Sequence, residues 1–260
     1  MIRVFILVIL LLSFSNAQFK VASWNLKNVS MNSLMFKKSI GQINSYIKSI
    51  NDFDVIALQE LRDRQIIFFL SGGLKEVLFS DYKRLTSQYK GKGSHKEVYG
   101  FLVNDKYKDV KLVELSTYRS FKRPPSAVIL DKKIAVVNIH IVYGKTKKKR
   151  VLEAKRLKKI YKELATKYNI KKQNVIITGD FNLTYKDLKK IYKKEQVLVE
   201  EKTTIGKKTL SKNYDHFIVD KKKKAQAKVR VDLLKNHKFF TKNISDHLPI
   251  ELLIDNINKE

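Results

Sequence analysis

Short apolar segments that end in polar residues recur along this sequence, and they constrain its fold more than any other feature. The clearest covers residues 174–178 and leads into Gly-Asp-Phe-Asn, which places Asp180 and Asn182 directly after a buried strand. Other segments end similarly, at Asn25, Glu60, His140, Asp215, and Asp246 with His247. One such Asp is usually a turn former. Six such strand ends in one chain predict a sheet structure in which these polar side chains lie close together at the strand ends.

The hydrophobic pattern predicts a single α/β (α+β) domain over residues 18–260. With 260 residues, 43% of them hydrophobic, the chain can bury a substantial core. Neither an internal repeat nor a linker divides it. Strands are expected at 19–24, 54–58, 99–103, 110–118, 126–130, 134–141, 174–178, 214–219 and 248–254. Helices are expected at 33–50, 65–79 (broken at Gly72-Gly73), 147–168 and 186–194.

The charge balance favours a polyanionic partner. The chain has 54 Lys and Arg against 25 Asp and Glu, a formal net charge of +29. Such an excess attracts nucleic acid or, as an alternative, an anionic membrane. The other alternative is a solvated surface in a protein that is simply rich in lysine.

Residues 1–17 are predicted to be a secretory signal peptide. Arg3 precedes the unbroken apolar run from Val4 to Leu12, and Ser15-Asn16-Ala17 fits a small-x-small cleavage site. The expected location is secreted or periplasmic, with an uncleaved anchor as the alternative, and no membrane span is expected in the mature chain. The sequence contains no Cys, which excludes disulfides, thiolate zinc sites and Cys nucleophiles.

The acids at the strand ends indicate a metal site. If Glu60, Asp180 and Asp246 converge, their carboxylates repel one another, and a divalent cation removes that repulsion. Carboxylate and amide oxygens favour hard ions, so Mg²⁺ is expected, with Mn²⁺ or Ca²⁺ as alternatives.

Two of the five histidines, His140 and His247, lie at these ends and are candidate acid–base groups. Glu97 and Asp215 are their candidate acidic partners, since a carboxylate orients an imidazole and raises its pKa. A metal, two imidazoles and a basic surface together indicate phosphodiester hydrolysis. Asp180 and Asn182 would then hold the phosphate or the attacking water.

Eight strings in order carry a resemblance to a known family: SWN (23–25), LQELRD (58–63), HKEVYGFLV (95–103), RPPSAV (123–128), NIHIVYG (138–144), GDFN (179–182), NYDHFIV (213–219) and SDHLP (245–249). Together they resemble the endonuclease/exonuclease/phosphatase superfamily, and within it the deoxyribonuclease I branch. The resemblance covers nearly the whole mature chain. It implies a four-layer sandwich, with two packed mixed β-sheets flanked by helices.

The same resemblance implies roles for the site residues. Asn25 and Glu60 would bind the catalytic metal, and Asp180, Asn182 and Asp246 would position water, phosphate and a second metal. Glu97 would orient His140, and Asp215 would orient His247.

The resemblance also implies DNA contacts. Arg62 matches a position that enters the minor groove, and Arg123 matches one that contacts the DNA backbone. Asn182 is a further candidate for binding the nucleic acid. His95, also a candidate for binding nucleic acid, stands where deoxyribonuclease I has a groove-stacking Tyr, which is a departure from the family pattern.

The function predicted from the sequence is a secreted, metal-dependent endodeoxyribonuclease with little sequence specificity, acting on DNA as a monomer. The alternatives are a sphingomyelinase-type or other phosphodiesterase, a toxin-type nuclease subunit, and a non-catalytic binding module. A sphingomyelinase typically needs an apolar membrane-inserting hairpin, whereas the candidate loops here are rich in lysine. Abasic-site endonucleases are intracellular, which the signal peptide argues against.

Overall fold

The computed structural model describes residues 18–50, 52–70, 82–91, 93, 96–115, 121–144, 146–255 and 257. The predicted signal peptide (1–17), the Gly72-Gly73 helix break and His95 lie outside the described residues. No helix in the described part of the chain is long and apolar enough to cross a membrane.

Two six-stranded sheets form the centre of the molecule. The first contains β1 (Gln18–Val29), β2 (Val55–Leu61), β3 (Tyr82–Thr86), β4 (Val98–Asn104), β11 (Ala225–Val229) and β12 (Ile250–Asp255), in the order β11-β12-β1-β2-β4-β3. The second contains β5 (Val110–Glu114), β6 (Ser126–Leu130), β7 (Ile134–His140), β8 (Val175–Asp180), β9 (Glu195–Leu198) and β10 (Asp215–Asp220), in the order β5-β6-β7-β8-β10-β9.

Each sheet has one parallel pair near its middle, and these two pairs bring the polar strand ends together. β1 runs parallel to β2, and β7 runs parallel to β8, whereas the other neighbouring strands are antiparallel. Strands β1 and β2 contact β7 and β8 across the interface between the sheets. Asn25, Glu60, His140 and Asp180 lie at or near the carboxyl ends of these four strands, so they meet at one edge.

Helices cover the outer faces of both sheets: α1 (Met31–Phe36), α2 (Ile40–Ser49), α3 (Lys147–Arg156), α4 (Lys158–Tyr168), α5 (Tyr185–Ile191) and α6 (His237–Asn243). Residues of α2 and α6 pack with Trp24 on the first sheet, and residues of α3, α4 and α5 pack on the second. A third apolar cluster, which includes Phe101 and Phe217, fills the space between the sheets. The predicted four-layer sandwich is therefore confirmed.

Several element boundaries differ from the prediction. The helix expected over 33–50 consists of two helices. A capping box between Ser30 and Ser33 starts α1, which ends at a turn at Lys37, and α2 begins after that turn. The helix expected over 147–168 is divided at Leu157. Strands β3, β9 and β11 were not predicted. They form sheet edges, where strands are short and lack a continuous apolar pattern.

Gly179, the residue before Asp180, is required by the close approach of β7. It has φ of +133°, and a Cβ atom there would lie 2.0 Å from the Ile139 carbonyl oxygen. We expect Gly179→Ala to lower the free energy of unfolding by at least about 3 kcal/mol, since both the backbone conformation and the contact oppose it. Chemical denaturation measures this.

A matched glycine in α2 provides the control. A Cβ on Gly41 would meet no atom within 4 Å. Gly41→Ala is expected to stabilise the protein by about 0.5–1 kcal/mol, because alanine loses less backbone entropy in a helix. Equal effects of the two substitutions would contradict the argument.

Candidate active site

Two irregularities in the first sheet aim Asn25 and Glu60 at the edge where the strand ends meet. The strand expected to stop at Asn25 continues to Val29, but the β1–β2 register shifts between Asn25 and Val29. The β2–β4 register shifts between Leu58 and Leu61, and Glu60 between them has φ of 60°. Bulges of this kind re-aim side chains next to functional sites, and positive φ in a non-glycine residue stores strain there.

Asn25 joins the two sheets at this edge. Its Nδ2 donates to Glu60 Oε1 at 3.0 Å and to Asp180 Oδ2 at 3.1 Å. The other Glu60 oxygen accepts from the backbone N–H of Asn28 at 2.9 Å. Burial raises the pKa of Glu60, but His140, Asn25 and other neighbours outweigh it, so this pKa lies below its ordinary value. Glu60 is therefore ionised at neutral pH.

Asp180 occupies the centre of the site and is almost fully buried. The backbone N–H of Asn182 donates to Asp180 Oδ1 at 2.8 Å, and Asn182 itself has φ of 49°. The Asn182 side chain donates to the Ile141 carbonyl oxygen at 2.8 Å. Burial raises the pKa of Asp180 to about 6, despite the opposing effect of His247. A carboxylate with this pKa can accept and release a proton near neutral pH.

His140 is held between Glu97 and the central carboxylates. Its Nδ1 lies 2.9 Å from Glu97 Oε1. Its Nε2 lies 3.6 Å from Asp180 Oδ2 and 3.8 Å from Glu60 Oε1. Burial lowers the pKa of His140, but Glu97, Asp180 and Glu60 outweigh it, so this pKa lies above its ordinary value.

His247 forms the second such pair, with Asp215. Its Nδ1 lies 2.8 Å from Asp215 Oδ2, and the same oxygen accepts from Thr203 Oγ1 at 2.6 Å. Its Nε2 lies 3.8 Å from Asp180 Oδ2. Burial lowers the pKa of His247, but Asp215 and Asp180 together raise it to about 10. The imidazole is therefore a cation over the physiological range.

Asp246 lies on the outer side of the same centre and is more exposed. Its Oδ1 is 4.0 Å from His247 Nε2, and its Oδ2 pairs with Lys27 Nζ at 2.9 Å. Ser245 fixes this segment against β1, because its Oγ donates to the Asn25 carbonyl oxygen at 2.6 Å and accepts from the backbone N–H of His247.

The residues at this centre fit a divalent cation. Ligand atoms of Asp180, Asp215 and His247 lie within 4.8 Å of one another. Because Asp215 is already engaged by His247 and Thr203, the carboxylate oxygens of Glu60, next to Asp180, are the better donors. Asn25 faces both carboxylates with its Nδ2, while its Oδ1 accepts from the backbone N–H of Lys27 at 2.9 Å. A set of hard oxygen donors suits Mg²⁺. Asp246, the third metal ligand expected from the sequence, pairs with Lys27, and its role as a ligand stays a prediction.

Arg62 and Arg123, the two arginines predicted to contact DNA, have different partners in the structure. Arg62 donates from Nη1 to the Lys96 carbonyl oxygen at 2.7 Å and also contacts Asn28 Oδ1. Arg123 turns inward: its Nη1 lies 2.8 Å from His140 Nδ1 and 3.2 Å from Glu97 Oε2. In this structure Arg123 therefore supports the Glu97–His140 pair, and its contact with the DNA backbone stays a prediction.

Lys38 is a component of the site that sequence reasoning missed. Its Nζ donates to the carbonyl oxygens of Leu26 and Ile244, at 2.9 Å and 2.5 Å. It thereby fastens the segment after Asn25 to the segment before Asp246. Burial lowers the pKa of Lys38 to about 8. No motif in the sequence distinguishes it from the many other lysines.

A buried polar bridge behind the centre also escaped sequence reasoning. Gln59 Nε2 donates to Asn138 Oδ1 at 2.7 Å and to Ser23 Oγ at 3.0 Å, which links β2 to β7 and β1. Tyr99 adds a second link, because its Oη accepts from the backbone N–H of His140 at 3.1 Å. Gln59 lies one residue before Glu60, and Asn138 lies two residues before His140. Their closeness to predicted site residues is a signal in the sequence that could have identified them.

Comparisons with known proteins agree with this architecture. No family model matches the chain. A deoxyribonuclease of Thioalkalivibrio sp. (strain K90mix) is 26% identical over 186 aligned positions, and the alignment covers 68% of this chain and 50% of that protein. The chain thus spans about half the length of this relative.

Solved structures match over most of the chain. An endonuclease/exonuclease/phosphatase family protein from Bacteroides thetaiotaomicron has a TM-score of 0.62 at 17% identity, covering 92% of this chain and 98% of that one. D. rerio TDP2, solved in complex with a single-strand DNA product, has a TM-score of 0.57 at 15% identity, covering 92% of this chain and 100% of that one. The chain therefore has the fold of the endonuclease/exonuclease/phosphatase superfamily, as its sequence strings predicted.

Proposed function

We propose that this protein is a divalent-metal-dependent phosphodiesterase that cleaves DNA within the chain, with little sequence specificity. One observation carries the proposal: two acid-paired imidazoles, His140 and His247, turn their Nε2 atoms toward the same oxygen of Asp180, at 3.6 Å and 3.8 Å. This arrangement offers two imidazoles, one of them a cation, and one proton acceptor to a single small group. Hydrolysis of a phosphodiester by water uses such groups to stabilise charge and to transfer protons.

The roles follow from the charges. His247 is a cation that stabilises the charge building on the phosphate oxygens, and it can release its Nε2 proton to the leaving oxygen. Burial lowers the pKa of His140, but its acidic neighbours raise it above its ordinary value, and its Nε2 turns toward the same centre. Asp180, with a pKa raised to about 6, accepts a proton from the attacking water. Glu60 would hold the metal ion beside Asp180, and Asn25 orients both carboxylates through its Nδ2. When bound, the ion supplies further stabilisation of negative charge on the phosphate.

Asn182 positions rather than reacts. Its backbone N–H and side chain fix Asp180 and the start of the following loop. Glu97 and Asp215 keep the Nδ1 side of each imidazole engaged, so that each Nε2 faces the centre.

DNA is the favoured substrate because of the net positive charge of the protein and its similarity to a deoxyribonuclease. The formal net charge of +29 attracts a polyanion. The relative from Thioalkalivibrio is a deoxyribonuclease. The proposed location stays secreted or periplasmic after removal of residues 1–17, and a monomer is the proposed state.

A substrate panel with purified protein tests the proposal. We expect nicking of supercoiled plasmid in Mg²⁺, and its loss in EDTA with recovery on adding Mg²⁺ back, because Glu60 and Asp180 then regain their counter-charge. Parallel reactions with Mn²⁺ and Ca²⁺ identify the preferred ion, and sphingomyelin vesicles test the lipid alternative. Cleavage that persists in EDTA, or hydrolysis of sphingomyelin without nicking, would overturn the proposal.

A further inference from the structure

Basic residues are concentrated on one of the two helical layers. On the second sheet, α3 has six Lys or Arg among ten residues, α4 has four among eleven and α5 has three among seven. On the first sheet, α1 has none among six, α2 has one among ten and α6 has two among seven. A chain that was merely rich in lysine would distribute it over both layers alike.

Exposed lysines of α3 and α4 face outward, while the two acids of these helices face inward. Leu157, Ile160 and Leu164 of the α3–α4 segment are fully buried against the second sheet. Glu153 and Glu163, the acids of these two helices, are also buried. Exposed lysines occupy the opposite side, and we name these six the basic helix face: Lys148, Lys149, Lys155, Lys162, Lys189 and Lys190.

The basic helix face has the dimensions of a stretch of duplex. Leu157 between α3 and α4 keeps right-handed helical dihedral angles, φ −56° and ψ −25°. At 1.5 Å per residue, Lys148 and Lys162 are therefore about 21 Å apart, roughly 0.6 of one turn of B-DNA at about 34–36 Å. Lys148, Lys155 and Lys162 are spaced seven residues apart, so they lie on one side of this segment, about 10 Å from one another.

We propose that the basic helix face is a second DNA-binding surface, which holds the phosphate backbone of a duplex segment outside the catalytic centre. Its lysines would neutralise phosphates and release counterions, a mode of binding that does not depend on sequence. A membrane surface fits less well. A helix that lies in a bilayer interface has an apolar face. In α3 and α4, Leu152 is the large apolar side chain that is exposed, and a single residue does not form such a face.

The surface is separate from the catalytic centre. The centre lies where the strand ends of both sheets meet, and the basic helix face covers the outside of the second sheet. A long DNA held by both would stay near the centre after one cleavage, because binding at one place raises the local concentration at the other. The choice of DNA as occupant rests on the proposed function.

Charge reversal in a catalytically disabled protein tests the inference. In the His247→Ala background, Lys148→Glu, Lys155→Glu and Lys162→Glu are combined. Affinity is then measured for a duplex of about 60 base pairs, which can reach both surfaces, and for one of about 12 base pairs, roughly one turn. We expect affinity for the long duplex to fall at least about 10-fold, and its log–log salt slope to shrink by about 2–3, at about 0.9 per phosphate contact. The short duplex should lose less affinity.

A matched control uses three lysines at the turn between β10 and β11. Lys221, Lys222 and Lys224 are exposed, and their combined reversal to Glu changes the net charge equally. Circular dichroism and thermal melting confirm that both triple variants fold. Equal losses in the two variants, or no loss in either, would overturn the inference, and so would a variant that loses binding to anionic vesicles but not to DNA.

Failure of the proposed function has a different signature. Binding is measured without cleavage, so a wild-type protein that binds DNA through this surface and nicks no plasmid would contradict the function alone. Conversely, a nuclease whose charge-reversed variant binds long DNA normally would contradict only the second surface.

Discussion

Replacing either central histidine by alanine is expected to lower plasmid nicking by about 10³-fold, since positioned acid–base groups contribute about 10²–10⁴-fold. The Nε2 atoms of His140 and His247 both face the Asp180 carboxylate. Each imidazole is held by its own acid, Glu97 or Asp215, so neither can take the place of the other. Folding is measured alongside nicking, because each substitution leaves a buried carboxylate, Glu97 or Asp215, without its imidazole partner. Nicking rates and far-UV circular dichroism measure the two properties.

His237 provides the matched control for that experiment. It begins α6 on the outside of the first sheet, away from the centre. His237→Ala is expected to retain nicking within a few-fold. Unchanged nicking by both His140→Ala and His247→Ala would defeat the assignment of the centre.

Asp215→Asn is expected to have the second large effect, again about 10³-fold on nicking, by analogy with acids that fix the tautomer of a catalytic imidazole. The amide keeps the size of the side chain, but it removes the charge that holds His247 as a cation. The pKa of His247 should fall from about 10 toward its ordinary value of 6.5, measured by NMR titration of the ring protons in metal-free protein.

The same pair gives a pH-dependent stability difference. The pKa of His247 is higher in the folded chain than its ordinary value, so its pairing with Asp215 contributes fully below about pH 6.5 and is lost as pH rises through about 10. The free energy of unfolding of the wild type, relative to Asp215→Asn, should therefore decline across that range in metal-free protein.

Asp220, at the other end of β10, is the matched control for Asp215. Its Oδ1 accepts from the backbone N–H of Lys222 at the turn, far from the centre along the strand. Asp220→Asn should leave both nicking and the His247 titration as in the wild type. A fall in nicking without any change in the His247 pKa would mean that Asp215 acts in another way.

The sequence predicted the fold and the meeting of the polar strand ends because both depend on ordered local patterns. An apolar run followed by Asp180, or by His140, indicates a strand end whatever the rest of the chain does. The pairing of Glu97 with His140 and of Asp215 with His247 was expected from the family resemblance, and in the structure each pair joins the first sheet to the second.

Other features could not be predicted because they depend on tertiary structure. The bulges that re-aim Asn25 and Glu60 arise from register shifts between strands distant in sequence. Lys38 acquires its role only where two loops close around it. The inward turn of Arg123 reflects its neighbours in the folded protein.

The hydrogen bonds of Asn25 and the position of His247 determine the stage of folding at which the centre can form. The centre needs residue 25 from one end of the chain and residue 247 from the other, and it spans both sheets. A chain in which the residues around His247 have not yet packed against Asn25 and Asp180 holds no such centre. Under the proposed function, hydrolysis would therefore begin only after both sheets have packed together.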